Sequence, residues 1–270
     1  MNKIGFIGTG NMASAMIHGM MSTGTYSGNQ VVLFNRTPAK AEKIAHKFNG
    51  MTVVSSEKEV LENAKYILLG VKPYQHQEVI EKIKDALTPE HVIITIAAGL
   101  SIENIRYWFS DDVKVARTMP NTPAQVMAAM TAVTFSDRIE EEERAWVLSF
   151  LKSFGSVEII EEKLMDAVPA ISGSSPAYMF QMIEAMADEG VRQGFQRDQA
   201  YRMAAQAMMG AGKMVLETGL HPGVLKDQVT SPGGTTIEAI KTLEENGFRA
   251  AVMRAMAACT LKTSQLTAKK

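Results

Sequence analysis

Cysteine is almost missing from this chain: the 270 residues include one, Cys259. A lone thiol excludes an intrachain disulfide and fits a reducing compartment, so a cytoplasmic location is expected. Cys259 lies in a helical stretch and reads as a small buried apolar residue. Net charge is just as scarce, 28 basic against 29 acidic side chains, formally −1 at pH 7. That balance gives no electrostatic reason to expect nucleic acid or an anionic membrane as partner. Long apolar runs are absent too. The longest, VIITIAAGL at 92–100, suits a buried strand and its exit and is too short for a membrane span. The chain opens directly on a strand-like run, which predicts that no signal peptide precedes it.

Several kinds of chemistry are lacking as well. The five histidines, His18, His46, His76, His91 and His221, show no metal-ligand spacing, and His46 and His76 are expected on exposed helices. SGSSP at 172–176 lacks the spacing of a nucleophile elbow, and no Ser–His–Asp order follows it. Gly210-Ala211-Gly212-Lys213 has part of a phosphate loop but sits inside a helical stretch with no strand before it. The acidic run at 140–143 reads as a solvated helix start, where glutamate favours the helix dipole. No metal and no covalent nucleophile are implied.

What is present falls into two regimes. Up to about residue 160, β-branched runs such as KIGFIG, QVVLFN, YILLGV, HVIITIAA and VKVARTM alternate with helical segments. That alternation predicts a doubly wound, mostly parallel sheet, with the last runs extending it at one edge. Beyond residue 163 the β-branched runs stop, and helices are expected near 177–194, 198–218, 235–245 and 247–266. The predicted boundary lies between 162 and 163. The second half is rich in methionine and alanine, and its helices carry more apolar surface than so short a segment buries alone. Packing against a second copy through this half is therefore expected.

The first strand runs straight into a glycine-rich turn. Gly8, Gly10 and Ala13 occupy the three positions of the G-x-G-x-x-G/A fingerprint, and the turn opens the helical stretch NMASAMIHGMM. The first position allows a sharp turn, the second lets backbone approach a pyrophosphate, and the third packs helix on strand. About twenty residues on, where an NAD site has Asp or Glu, the chain reads Asn35-Arg36-Thr37 with Lys40 one turn later. Without the carboxylate a 2′-phosphate is not repelled, and Arg36 can pair with it, so NADP(H) is favoured over NAD(H).

Candidate ligand-facing residues follow at later strand ends: Val71-Lys72-Pro73, Ala97-Ala98-Gly99, and Met119-Pro120-Asn121-Thr122-Pro123. The last is either a rigid wall beside a nicotinamide or a structural turn capped by Asn121. Two further loops, at 171–178 and 229–236, crowd glycine, serine and proline ahead of a helix. Each is either a carboxylate receptor made of amides and hydroxyls, or a plain N-cap with its turn.

The segment LKDQVTSPGGTT at 225–236 closely resembles the signature of the pyrroline-5-carboxylate reductases. FIGTGNMA at 6–13, VKP at 71–73, RTMPNTPA at 117–124 and SGSSPAY at 172–178 resemble it too, in the family's order and spacing. The resemblance spans essentially the whole chain. It implies an N-terminal Rossmann-type domain followed by an all-α dimerisation domain, built as homodimers often assembled into a homodecamer. It also implies reduction of 1-pyrroline-5-carboxylate, a small cyclic imine, to L-proline with NADPH or NADH, the last step of proline biosynthesis.

Carried onto this sequence, the resemblance places Ile7, Gly8, Thr9, Gly10, Asn11 and Met12 at the pyrophosphate. Asn35, Arg36 and Thr37 face the adenosine ribose and its phosphate. Val71, Lys72, Pro73 and Ala97 line the cleft, with Met119, Pro120 and Asn121 near the nicotinamide. Ser231, Gly233, Gly234, Thr235 and Thr236 receive the substrate, Thr236 near the ring nitrogen as the catalytic residue, and Glu162 lies near it. Ser175 and Gln228 stand where the family usually has Gly and often Asn. A β-hydroxyacid dehydrogenase would need a general-base Lys on the helix PAYMFQMIEAMADEGVRQ, which has none. A non-catalytic NADP sensor would leave the second receptor loop without use.

Overall fold

The computed structural model describes residues 2–267. The β-branched runs become β1 (Ile4–Ile7), β2 (Val31–Phe34), β3 (Thr52–Val53), β4 (Tyr66–Leu69), β5 (Val92–Thr95), β6 (Lys114–Met119), β7 (Ala129–Phe135) and β8 (Gly155–Ile159). Between them lie α1 (Asn11–Ser22), α2 (Pro38–Lys47), α3 (Glu57–Asn63), α4 (His76–Ile83), α5 (Ile102–Trp108) and α6 (Glu141–Lys152). The strands form one sheet of order β3-β2-β1-β4-β5-β6-β7-β8. Its neighbours are parallel except β6 and β7, which are joined by the short 3-10 turn Thr122–Val126 and run antiparallel. So brief a connection cannot make a crossover, and the later runs extend the sheet at that edge.

β1, β4 and β5 are buried at every position because helices cover both faces. Ile4, Phe6, Leu33 and Leu68 pack with α1, α2 and α6, whereas Ile7, Val32, Ile67 and Leu69 pack with α3, α4 and α5. The side-chain period of two sends alternate residues to the two layers. Chain order reverses between β1 and β4, so a crevice opens beyond their carboxyl ends.

Two of the polar residues expected in solvent are buried. Glu143, in the first turn of α6, is 2% exposed and accepts from Lys65 and Lys114 at 2.9 and 2.8 Å. Burial opposes its ionisation, but the hydrogen bonds from Lys114 and Lys65 outweigh it and hold the carboxyl below its ordinary range. His76, at the start of α4, is wholly buried. In both cases the side chain lies on the helix face that meets the sheet. Cys259 is half-buried, its Sγ 3.6 Å from the Ser174 hydroxyl.

The chain divides into two packed units: the sheet unit, residues 2–174 with residues 259–267, and a helical unit, residues 175–258. Met165 and Val168 cluster with Ala132 of β7, which ties the stretch after residue 162 to the sheet unit. The helical unit contains α7 (Ser175–Arg192), α8 (Arg197–Thr218), α9 (Pro222–Val229), α10 (Thr235–Glu245) and the first part of α11 (Phe248–Thr267). α9 was not expected; His221 caps it, accepting from the Gly223 amide at 3.0 Å, and Pro222 stands in its first turn. The loop at 171–178 is likewise regular, a π-helical turn over Pro169–Gly173 that leads into α7.

α7 and α8 approach so closely that a Cβ on Gly190 would stand 3.1 Å from that of Ala200. Few apolar side chains in this unit are buried, among them Ala187, Ala200, Ala204 and Leu225. Phe180, Met203, Met209, Leu216 and Met253 are more than half exposed. Apolar exposure on this scale marks a face that associates with another surface.

Candidate functional site

The glycine turn sits where β1 ends. Gly8 has φ +95°, and a Cβ there would meet Val71 Cγ1 at 2.9 Å and Gly70 backbone at 3.0 Å. Only glycine adopts that conformation freely beside so near a neighbour. Its amide donates to Phe34 O and the Gly70 amide donates to Ile7 O, both at 2.8 Å, so the ends of β2, β1 and β4 are locked together. Gly10 is the N-cap of α1, and no side chain caps that helix. A Cβ on Gly10 would meet nothing closer than Gly70 O at 3.6 Å. The protein thus leaves open the space in front of an uncapped helix N-terminus, where amide dipoles favour an anion. Ala13 fills the third position by packing beneath Gly70.

A cavity of about 620 Å³ opens from this turn across the crevice. At its β2 side Asn35 bridges two loops: its Nδ2 donates to Thr9 Oγ1 at 2.6 Å, and its Oδ1 accepts from the Thr37 amide at 3.0 Å. Arg36 and Lys40 line the cavity and are exposed, and among the described residues no carboxylate lies within ion-pair distance of Arg36. Sequence reasoning missed another part of the rim, close enough to Arg36 to feel its charge. There Lys82 stands between Glu78 at 2.8 Å and Glu57 at 3.5 Å. The hydrogen bond from Lys82, and more weakly the charge of Arg36, holds the Glu78 carboxyl below its ordinary range. Gly70 was also missed, although a glycine directly after a buried strand and opposite Gly8 was a usable signal.

Val71, Lys72, Pro73, Ala97 and Met119 line the same cavity, as do Ile7, Thr9, Asn11, Met12 and Thr37. Pro120 and Asn121 do not. Both are buried, and the Asn121 amide donates to Ser172 O at 3.0 Å while its oxygen accepts from the Met130 amide at 3.1 Å. The Asn121 side chain makes no cap hydrogen bond to the turn that follows it; it ties the loop to Ser172 and Met130 instead. Glu162 also lies outside the cavity lining. Its Oε1 accepts from the Ile102 amide at 3.0 Å and from Arg117 at 2.8 Å, and its Oε2 has no hydrogen-bond partner among the described residues. Arg117, 4% exposed, also pairs with Asp166.

The second receptor loop belongs to the helical unit. Gly233 turns with φ +68°, and Gly234 caps α10 with its amide donating to Ser231 O at 3.1 Å. A Cβ on Gly234 would meet Ser231 Oγ at 2.3 Å and Ser231 O at 3.2 Å, so a larger residue there would have to displace the Ser231 hydroxyl. No side chain caps α10. Ser231, Gly233 and Thr235 are exposed and Thr236 is partly buried, with no hydrogen bond to the Thr236 hydroxyl among the described residues. The loop thus presents backbone amides, with hydroxyls beside them, at an uncapped helix N-terminus, an arrangement that favours an anion. No metal-binding cluster of His, Cys, Asp or Glu occurs among the described residues.

Comparison with known proteins assigns both units. The family described as pyrroline-5-carboxylate reductase dimerisation matches residues 162–266, and NADP oxidoreductase coenzyme F420-dependent matches residues 3–99. The pyrroline-5-carboxylate reductase of Escherichia coli is 45% identical over 98% of both chains, and that of Arabidopsis thaliana 36% identical over 98% of this chain and 95% of its own. Among solved structures, the Plasmodium falciparum pyrroline carboxylate reductase with NADP bound superposes with a TM-score of 0.89 at 29% identity. The enzyme from Coxiella burnetii gives 0.90 at 31%, and each pair covers 98% of both chains. With a glycine-turn cleft, the SPGGTT receptor and identity that runs nearly end to end, the chain belongs to the pyrroline-5-carboxylate reductase family.

Proposed function

We propose that this protein reduces 1-pyrroline-5-carboxylate to L-proline, with NADPH as the preferred donor and NADH also accepted. The observation that carries the reading is the open space at Gly10, in front of an uncapped helix, in a cavity also lined by an exposed Arg36 that has no carboxylate within ion-pair distance among the described residues. That arrangement fits a phosphate-rich dinucleotide carrying a 2′-phosphate. Bound NADPH supplies the hydride.

The chain's own residues bind and orient. The Asn11 and Met12 amides hold the pyrophosphate charge, and Arg36, with Asn35 and Thr37, holds the ribose phosphate. Val71, Lys72, Pro73, Ala97 and Met119 wall the cleft, and Pro120 and Asn121 brace the loop behind it. Gly233, Gly234 and Thr235 take the substrate carboxylate through amides, joined by the Ser231 hydroxyl. The Thr236 hydroxyl holds the ring nitrogen, where the proton of the imine must stay. Glu162, held by the Ile102 amide and Arg117, is assigned to the substrate side by the family resemblance alone. A protonated C=N is already electrophilic, so placement does most of the work and no general base is required.

The exposed apolar faces of α7, α8 and α11 support a homodimer, and we extend it to a pentamer of dimers in the cytoplasm. No helix among the described residues is long and apolar enough to cross a membrane.

The test is NADPH oxidation, followed by absorbance, with racemic 1-pyrroline-5-carboxylate and analysis of the product for proline. Thr236→Ala should lower kcat roughly ten- to hundred-fold, the cost of one hydrogen bond to a charged group, with NADPH affinity kept. Cofactor binding without oxidation, or unchanged kinetics in the variant, would refute the reading or the role of Thr236.

A further inference from the structure

Burying a histidine ring completely is costly unless its nitrogens find partners. His76 is wholly buried, and so is Thr95 at the end of β5. His76 Nδ1 lies 3.1 Å from Lys72 O, and His76 Nε2 lies 3.3 Å from Thr95 Oγ1. A carbonyl only accepts, so Nδ1 carries the proton, and in the neutral ring that complete burial favours, Nε2 presents its lone pair to the Thr95 hydroxyl. The same hydroxyl oxygen accepts from the Ala97 amide at 3.3 Å. Thr95 O in turn accepts from Thr118 Oγ1 at 3.0 Å, next to Met119. One chain of hydrogen bonds therefore joins the exits of β4, β5 and β6, where Lys72, Ala97 and Met119 line the cofactor cavity.

We infer that His76 and Thr95 are positioning residues that set the cleft wall formed by the exits of β4, β5 and β6, on the opposite side of the glycine turn from Arg36. The inference rests on the reading of this cavity as the NADPH site. Sheet order places the exit of β2, with Arg36, on one side of β1 and the exits of β4, β5 and β6 on the other. A dinucleotide laid across the crevice puts its adenosine half over β2 and its nicotinamide half over the wall that this relay holds. Touching neither substrate nor cofactor, His76 acts through the Lys72 carbonyl, and Thr95 through the Ala97 amide.

Thr95→Val removes the hydroxyl with almost no change of shape, leaving His76 Nε2 and the Ala97 amide without it. Thr95→Ser keeps the hydroxyl. Binding of NADPH and of 2′,5′-ADP, which has only the adenosine half, is measured by calorimetry for the full-length protein and both variants. Thr95→Val should weaken NADPH roughly ten-fold, the cost of an unmade buried hydrogen bond, while 2′,5′-ADP binds within about two-fold of wild type. Thr95→Ser should restore NADPH affinity. Equal loss for both ligands, or wild-type NADPH affinity in Thr95→Val, would overturn the positioning role. If the unmodified protein binds 2′,5′-ADP and NADPH equally well, the wall contributes nothing and the inference fails. If it binds neither, the cofactor reading fails and takes the inference with it.

Discussion

Replacing Gly10 with alanine adds one methyl group where the protein itself has room. Gly10 has φ −70° and ψ −179°, ordinary extended backbone, and its nearest neighbour to a built Cβ is Gly70 O at 3.6 Å. Alanine is a poorer N-cap than glycine by about 0.5–1 kcal/mol, but it also reduces the freedom of the unfolded chain by a similar amount. Apoprotein stability should stay within about 0.5 kcal/mol, a shift of at most about 2 °C in Tm. The same methyl projects into the space in front of α1, where the pyrophosphate is proposed to lie. Overpacking a close contact costs about 1–3 kcal/mol, which raises the NADPH Kd roughly 5- to 150-fold. Calorimetric titration with NADPH, with scanning calorimetry of the apoprotein, reads both quantities. Gly8→Ala is the contrast, because φ +95° and the 2.9 Å approach to Val71 destabilise the apoprotein itself. An unchanged NADPH Kd in Gly10→Ala would place the pyrophosphate elsewhere. A drop of many degrees in apoprotein Tm would show that the fold, not the ligand, requires glycine there.

Arg36→Ala should raise the NADPH KM about ten-fold at low salt, and less at high salt because the side chain is exposed, with the NADH KM little changed. Equal effects on both cofactors would remove Arg36 from the 2′-phosphate. Glu143→Gln leaves Lys65 and Lys114 without their shared carboxylate and should destabilise the protein by about 3 kcal/mol at neutral pH. Because the folded-state pKa of Glu143 lies below the ordinary 4.5, its contribution is complete above that pH and is lost as pH falls through the lower folded value. Melting temperature measured against pH should therefore fall more steeply on the acid side in wild type than in Glu143→Gln. Parallel curves would contradict the assigned role.

Local features carried the parts of this protein that could be read early. A glycine turn between a buried strand and a helix is written in neighbouring residues, and so are the absence of a carboxylate after β2 and the SPGGTT turn before α10. Backbone conformation at Gly8 and Gly233, both at positive φ, depends on their own lack of a side chain, so residue type alone announces them. The β-branched alternation revealed the sheet for the same reason, since a period of two is a property of the strand itself.

Other features were illegible because they depend on which surfaces meet. Asn121 follows a strand end like a ligand-facing residue, yet its amide is taken up by Ser172 and Met130, the latter across a turn whose path the sequence does not reveal. The rim at Glu57, Glu78 and Lys82 joins the start of α3 to α4, two helices separate in sequence. His76 and Glu143 look solvated in a helical pattern, and only the docking of α4 and α6 on the sheet buries them. Sequence by itself determined most of the elements, though not α9, together with the glycine turns and the amide- and hydroxyl-rich character of the two loops, because these follow from backbone sterics and residue type. Tertiary structure decided which polar groups are buried, paired or left facing the cleft, because desolvation and hydrogen bonding depend on neighbours brought together from distant parts of the chain.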